Sequence, residues 1–500
     1  MTHQITILPA NKNIRAPHGA NLLELLRREG HTLDAPCGGN GHCGKCRVIV
    51  DSQEVLACCT NVDRDMEVLI PGRSWYSADC AVSEGGRQEN MHRILTEGVE
   101  AVRAMDPVRE GYLLAVDIGT TTVVGYLLDG ETGRELAAES RLNPQTTFGA
   151  DVISRIQAAL KGQMEELTST IRGCVEEMIE VLCEKAGIGS EQISEICPVG
   201  NPAMQQLFLG ISPRNLAQIP FAPVLTEARV VPAGEYLPVC KEAVLVIVPE
   251  LSGFVGADTL ACVLATELDK EDELTLMVDI GTNGEMVLGY RERMVACSTA
   301  AGPALEGANI QFGMRGMTGA IDHIWVEDGE IRCSVIGDME AVGICGSGLI
   351  DAVAAALDMG LINERGRVQT ADRCIHLTDK VYLTQEDIRE VQMAKGAIAA
   401  GIELMAEHLG IELEAVGRVY LAGAFGSYMD SGSACRIKLL PPVLKDKIIA
   451  VGNAAGSGAK QLVCHRAEMD RVQKLTKQIE FLELASVPQF QYCFARNMRF

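Results

Sequence analysis

Leu113-Leu-Ala-Val-Asp117-Ile-Gly-Thr-Thr-Thr-Val-Val-Gly125-Tyr126 recurs further along the chain as Leu276-Met-Val-Asp279-Ile-Gly-Thr-Asn-Gly-Glu-Met-Val-Leu-Gly289-Tyr290. Each copy is an apolar run, a glycine turn and a second apolar run, which reads as strand, turn, strand. The separation of the copies is that of one domain, so a unit has been duplicated and two similar lobes should face each other across a cleft. Around the copies, apolar runs (LLAVDIG, VLVIVP, LMVDIG, VYLAGAFG) alternate with helical patterns over 151–185, 341–360 and 385–409. That alternation predicts α/β layers.

The chemistry of the repeated turn is specific. Gly119 and Gly281 let backbone amides approach an anion. Thr120, Thr121, Thr122 and Thr282 add hydroxyl donors, and Asn283 adds an amide. Asp117 and Asp279 can hold Mg²⁺ through its waters. One Asp-x-Gly turn is common; two, each inside a strand-turn-strand, point to phosphate.

The first eighty residues have another character. A strand over 5–9, an amphipathic helix over 21–29 stopped by Gly30, a Gly/Cys loop, and strands over 47–50 and 67–70 predict a small α+β domain. The loop, Cys37-Gly-Gly-Asn-Gly-His-Cys43-Gly-Lys-Cys46, is followed by Leu56-Ala-Cys58-Cys59-Thr60. Four thiolates suit an iron–sulfur cluster, and the glycines let the loop wrap it and aim N–H groups at sulfur. A zinc ribbon would pair two CxxC knuckles, and one is present. The polar stretch 81–110 reads as a linker with a helix at 91–105.

Composition narrows the classes. The chain has 500 residues, 47% of them hydrophobic and 4% aromatic, with 50 glycines and a formal charge of −23. Residues 1–80 hold 8 Lys and Arg against 9 Asp and Glu, so nearly all of the negative charge lies beyond them. Such a field repels phosphate backbones and argues against a nucleic-acid partner. No apolar run approaches the roughly 20 residues of a spanning helix, and the start lacks a signal peptide. The expectation is a cytoplasmic protein without a membrane partner, its 18 cysteines mostly free thiols.

The cysteine loop resembles the [2Fe–2S] ferredoxins, a β-grasp fold, with the five-residue first gap of their vertebrate-like subgroup. The resemblance implies Cys37, Cys43, Cys46 and Cys58 as ligands, Cys58 being preferred to Cys59 by its Leu-Ala-Cys context. The repeated loops resemble the two phosphate loops of the superfamily of acetate and sugar kinases, Hsp70 and actin. Asn143–Val152 and Gly343–Asp351 look like its two connecting segments, and Tyr420–Gly426 like its adenosine loop. That likeness puts Gly423 and Gly426 beside adenine or ribose, with Gly452–Gly456 completing that side and Val199–Met204 as the counterpart in the first half.

The pairing of both modules, with NPQTTFGADVISRI, DIGTNGE and STAAGPALEGANIQFGM, resembles the reductive activators of corrinoid proteins. The resemblance implies an α+β ferredoxin domain (1–80), a linker (81–110) and a duplicated actin-like α/β ATPase with lobes at 111–272 and 273–500. Some relatives carry a further domain where this chain has only the linker. The implied activity is ATP-dependent transfer of one electron from the [2Fe–2S] cluster to a corrinoid protein, Co(II) to Co(I). The implied cofactors are the cluster, ATP and Mg²⁺. The implied partners are the corrinoid protein and an external low-potential electron donor, with a homodimer left open. Glu285 is assigned to orient water or metal, and Ser298 or Thr299 to face the cobalt. The rival readings are another ATP-driven electron injector, of the 2-hydroxyacyl-CoA dehydratase activator kind, a small-molecule kinase with a redox sensor, and a chaperone-type binding module. The first rival uses a [4Fe–4S] cluster between subunits, which the fused loop disfavours.

Overall fold

A computed structural model describes residues 2–8, 12–29, 31, 33, 39, 41, 46–51, 53–70 and 111–500. The predicted linker and its helix lie outside the described residues, as do Cys37 and Cys43.

The N-terminal unit is a five-stranded mixed sheet. Its strands are β1 (Thr2–Leu8), β2 (Lys12–Pro17), β3 (Arg47–Val50), β4 (Gln53–Leu56) and β5 (Met66–Leu69), in the order β2-β1-β5-β3-β4. The helix Leu22–Arg28 starts where the Asn21 side chain accepts from the amides of Leu23 and Glu24. Its leucines, Leu22, Leu23, Leu25 and Leu26, are buried against Ile5, Ile7, Val48 and Val68 of the sheet. A helix clasped by a mixed sheet is the β-grasp arrangement expected. Strands β2 and β4 were not legible in the sequence pattern, being polar or short.

The rest of the described chain is built on two six-stranded sheets. The first contains β6 (Tyr112–Ile118), β7 (Thr122–Asp129), β8 (Glu135–Leu142), β9 (Ile193–Gly200), β10 (Arg229–Pro232) and β11 (Val244–Ile247), ordered β10-β11-β9-β6-β7-β8. The second contains β12 (Thr275–Ile280), β13 (Gly284–Tyr290), β14 (Arg293–Thr299), then, beyond five strands of two small sheets between 320 and 384, β20 (Arg418–Ala422), β21 (Ile448–Gly452) and β22 (Ile479–Phe481). Its order is β21-β20-β12-β13-β14-β22. Both sheets carry the same core. An antiparallel meander is followed by two strands added parallel to its first strand: β9 and β11 beside β6, β20 and β21 beside β12. The repeat in the sequence is thus a repeat in topology.

The outer face of the first sheet is covered by Met164–Ala186, which buries Leu167, Ile171, Val175, Met178 and Leu182 at helical spacing. The outer face of the second is covered by Gln385–Leu409, begun by a Thr384/Asp387 capping box. The pattern over 151–185 resolves into two helices, because Gly162 at φ 102° breaks it.

Between the sheets lie two helices, Ala257–Thr266 and Ala454–Cys464. They share one core with both sheets, including Leu113, Val124, Met277 and Val287. They cross where Gly458 meets Ala261: a Cβ at Gly458 would sit 2.0 Å from the Ala261 carbonyl oxygen, so no other residue permits that approach. No helix among the described residues is long and apolar enough to cross a membrane.

Candidate functional site: an acidic cleft and a thiol loop

Asp117 is the penultimate residue of β6 and Asp279 that of β12, at equivalent positions. Asp117 pairs with Val199 of the parallel neighbour β9, and Asp279 with Ala422 of the parallel neighbour β20. Each aspartate is followed by a tight glycine turn. Gly119 N–H donates to the Thr122 carbonyl, and Gly281 N–H to that of Asn283, each at 2.9 Å. A Cβ on Gly119 would lie 2.6 Å from the Thr122 oxygen, so this turn closes only with glycine.

The first turn is braced from behind. Asn143 Nδ2 donates to the Gly119 carbonyl at 2.8 Å, and Asn201 Nδ2 to Thr120 Oγ1 at 3.1 Å. Arg155, fully buried, donates to the carbonyls of Thr120 and Gly149. Burial pulls its guanidinium down to about 9, against the opposing pull of the Asp151 and Glu306 carboxylates. The two sequence segments read as connecting segment and as counterpart of the adenosine loop therefore meet at Thr120.

The crossing helices reach the opposite aspartates. Asn453, which caps Ala454–Cys464, donates from Nδ2 to Asp117 Oδ2 at 2.9 Å. Cys262, on the helix of the first half, directs its thiol at Asp279 Oδ2, 3.8 Å away. Asp258, one turn earlier on that helix, faces Asp279 as well. Burial lifts Asp117 to about 7, opposed by the Asn453 hydrogen bond and reinforced by Asp258 and Asp279. Asp258 also rises to about 7 and Asp279 to about 6, burial being the main cause in each. Glu285 rises well above its ordinary value through burial and the charges of Asp258 and Asp279. Four carboxylates so placed are short of positive charge, which a divalent cation supplies. Among the described residues no three His, Cys, Asp or Glu side chains converge closely enough to ligate an ion directly. The arrangement suits a cation that keeps its waters.

The other predicted residues distribute as follows. Thr121 Oγ1 and Thr282 Oγ1 both donate to the carboxylate of Glu306. Thr122 begins β7 and is exposed, and Asn283 hydrogen-bonds Glu285. Ser298 faces Glu285 across β13 and β14, its Oγ 3.4 Å from Oε1. Thr299, in contrast, is buried, with Oγ1 3.4 Å from the Gly284 carbonyl oxygen, so of the two hydroxyls assigned to the cobalt it is turned into the core. Gly423 has φ 86°, and a Cβ there would lie 2.6 Å from Asp279 Oδ1. The turn after β20 thus backs onto the turn that follows β12. Gly426 is buried, and its Cβ position is taken by Leu421, so its missing side chain serves the packing of this turn on its own strand. Asp258, Arg155, Cys262 and Glu306 were not singled out from sequence.

In the N-terminal unit, Cys46 is buried at the foot of the loop and the Cys58 amide donates to its Sγ at 3.5 Å. Cys59 is exposed, its sulfur 3.7 Å from that of Cys58. Burial, with Cys46 and Cys59 alongside, pushes the Cys58 thiol up to about 12. A thiol that resists ionisation until a cation arrives suits a metal site. Gly39 and Gly41, at φ 87° and 81°, supply the loop curvature expected. Cys46 and Cys58 lie side by side, as the expected cluster requires; the other two expected ligands, Cys37 and Cys43, lie outside the described residues.

Fold and site together define a [2Fe–2S] ferredoxin joined to an ATPase of the sugar-kinase, Hsp70 and actin type. Residues 5–69 match the family model "2Fe-2S iron-sulfur cluster binding domain", residues 112–271 "RACo middle region", and residues 273–500 "C-terminal domain of RACo the ASKHA domain". The corrinoid activation enzyme RamQ of Eubacterium limosum is 32% identical, over 94% of each chain. A [Co(II) methylated amine-specific corrinoid protein] reductase of Methanosarcina barkeri is 30% identical, over 74% of this chain and 73% of its own. The solved structure of a reductive activator for corrinoid, iron-sulfur protein superposes with a TM-score of 0.72, at 28% identity and covering 100% of this chain and 98% of that one. This chain belongs to the family of reductive activators of corrinoid proteins.

Proposed function

We propose that this protein uses ATP to drive one electron onto the cobalt of a corrinoid protein, taking Co(II) to Co(I). The observation that carries the reading is the pair of equivalent Asp-Gly-Thr turns facing one acidic cleft, in a chain that also contains a ferredoxin. In this reading the chain is a ferredoxin over 1–80, a linker over 81–110, and ATPase lobes over 111–272 and 273–500.

Cys37, Cys43, Cys46 and Cys58 would hold the cluster, which supplies one-electron storage near a potential of about −400 mV. Asp117 and Asp279, with Asp258 beside them, would hold hydrated Mg²⁺. Thr120, Thr121 and Thr282 would donate to phosphate oxygens, with the Gly119 and Gly281 turns letting the chain come close. Glu285, hydrogen-bonded by Asn283 and Ser298, would orient water next to the cation. Gly423 gives the nucleotide access beside Asp279. Each lobe's aspartate is contacted by a helix from the other half, so a change at the phosphates is felt by both sheets. Nucleotide can shift the electron equilibrium only by differing in affinity between two states of the complex. An external low-potential donor refills the ferredoxin, and the free thiols among the described residues suit a reducing cytoplasm.

The test is direct. Protein prepared anaerobically, a chemical reductant, Mg-ATP and a Co(II) corrinoid protein are mixed, and the Co(I) absorption is followed. Growth only with ATP is the expected result. Growth without ATP, or phosphorylation of a small metabolite, would reject the reading.

A further inference from the structure

Glu306 sits between the turns that follow β6 and β12. Thr121 Oγ1, on the first phosphate loop, donates to Oε2, and Thr282 Oγ1, on the second, donates to Oε1 at 3.0 Å. The Gly281 Cα presents its bare side to the same carboxylate, an ideal Cβ there lying 3.6 Å from Oε1. The Arg155 guanidinium and the Glu306 carboxylate also attract one another. One anion of the protein's own thus ties together hydroxyls from both lobes. These are the donors that a phosphate in the cleft would use.

We propose that Glu306 is a phosphate competitor and interlobe latch: nucleotide phosphate displaces its carboxylate from Thr121 and Thr282, and the displaced turn reports nucleotide occupancy. This rests on the assignment of those loops to phosphate. A hydroxyl has one proton to donate, so Thr121 and Thr282 cannot serve Glu306 and a phosphate oxygen together. Two anions at one seat also repel.

Ala304 and Leu305 seat the Glu306 turn in the core, while a glycine stands at each of its ends. Glu306 ends the single turn Pro303–Glu306, and that turn is bounded by Gly302 at φ 79° and Gly307 at φ 82°. A Cβ on Gly302 would meet nothing within 4 Å, so the upstream side has room to swing. Downstream the chain is tied down, with the Gln311 amide on Asp387 at 2.7 Å and the Met314 amide on the Ile344 carbonyl at 2.9 Å. Movement at 303–306 therefore passes to the segment through Ile310 and on to the small sheet at 320–344. Upstream lies Ser298, facing Glu285.

Wild type, Glu306→Ala and Glu306→Gln are compared by calorimetric titration with Mg-ATP and by hydrogen exchange over residues 303–313, with no corrinoid protein present. Glu306→Ala should bind Mg-ATP about tenfold more tightly, the scale of a charge-assisted hydrogen bond lost by the competitor. Glu306→Gln, which keeps size and acceptor but not charge, should fall between. In wild type, ATP should speed exchange at 303–307; in Glu306→Ala that exchange should already be fast without nucleotide. ATP affinity that is unchanged or weaker in both variants overturns the proposal, as does exchange at 303–307 that wild type does not alter with ATP. Because binding and exchange are read without electron transfer, a failed cobalt assay leaves this result standing on its own.

Discussion

Replacing Asn453 by serine tests how the cleft holds its charge. Serine keeps an acceptor for the cap of Ala454–Cys464, where Asn453 accepts the Gly456 amide at 2.7 Å. It is too short to donate to Asp117, so the 2.9 Å hydrogen bond is lost. A hydrogen bond to an ionised group contributes about 1.5–3 kcal/mol, and about 1.4 kcal/mol moves a pKa by one unit. Asp117 stands at about 7 with that bond in place, against an ordinary value of 3.8. Without it, Asp117 should rise by about one to two units. At neutral pH its ionised fraction then falls from about half to about a tenth or less. Mg-ATP needs the carboxylate, so affinity at pH 7 should drop by about fivefold or more and recover near pH 9. The assay is the dissociation constant of Mg-ATP measured across that range, anaerobically, for wild type and variant. An unchanged pH midpoint would refute the reasoning, as would a loss of the same size at every pH.

Three further outcomes are expected. Cys46→Ser and Cys58→Ser should each abolish the visible spectrum of the reconstituted ferredoxin while Cys59→Ser retains it; equal loss for all three would remove the preference for Cys58. Gly423→Ala should weaken Mg-ATP binding by tenfold or more, since the methyl group would press on Asp279 at a φ costing about 1 kcal/mol for alanine; wild-type affinity in a titration would contradict the placement of that turn. The protein without nucleotide should lose thermal stability as pH rises. Asp117 and Asp258 at about 7 and Asp279 at about 6 keep protons that the unfolded chain releases near its ordinary 3.8, so the folded state is favoured at low pH and this advantage fades as pH climbs through those values. The stabilisation by Mg-ATP should grow over the same interval; a melting temperature flat between about pH 5 and pH 8 would count against these shifts.

The candidate site residues that the sequence singles out are the local ones. Cys37 to Cys46 lie within ten residues, and the Asp-Gly-Thr turns each occupy four. In both, spacing along the chain is nearly spacing in space. The residues that complete the cleft are of another kind. Asn453 reaches Asp117, Cys262 reaches Asp279 and Glu306 spans Thr121 and Thr282 across long separations in sequence. An isolated Asn, Cys or Glu after a strand has many roles, and no periodicity marks it. Glu306 lies within STAAGPALEGANIQFGM, yet nothing in that segment points to its partner Thr121 in the other lobe. Thr299 shows the converse. Its neighbour Ser298 shares its chemistry, but alternation along β14 sends one hydroxyl to Glu285 and the other under the helix Gln385–Leu409.

The amino-acid sequence by itself determined the duplicated strand-turn-strand, the glycine turn after each aspartate, and the spacing of the thiol loop, because each is specified by neighbours a few residues apart. Only the tertiary structure decided which half covers which aspartate. The contact of Gly458 with Ala261 lets two helices cross between the sheets and deliver Asn453 and Asp258 to opposite lobes. That exchange depends on close packing of distant segments, a property of the folded surface that no stretch of chain carries alone.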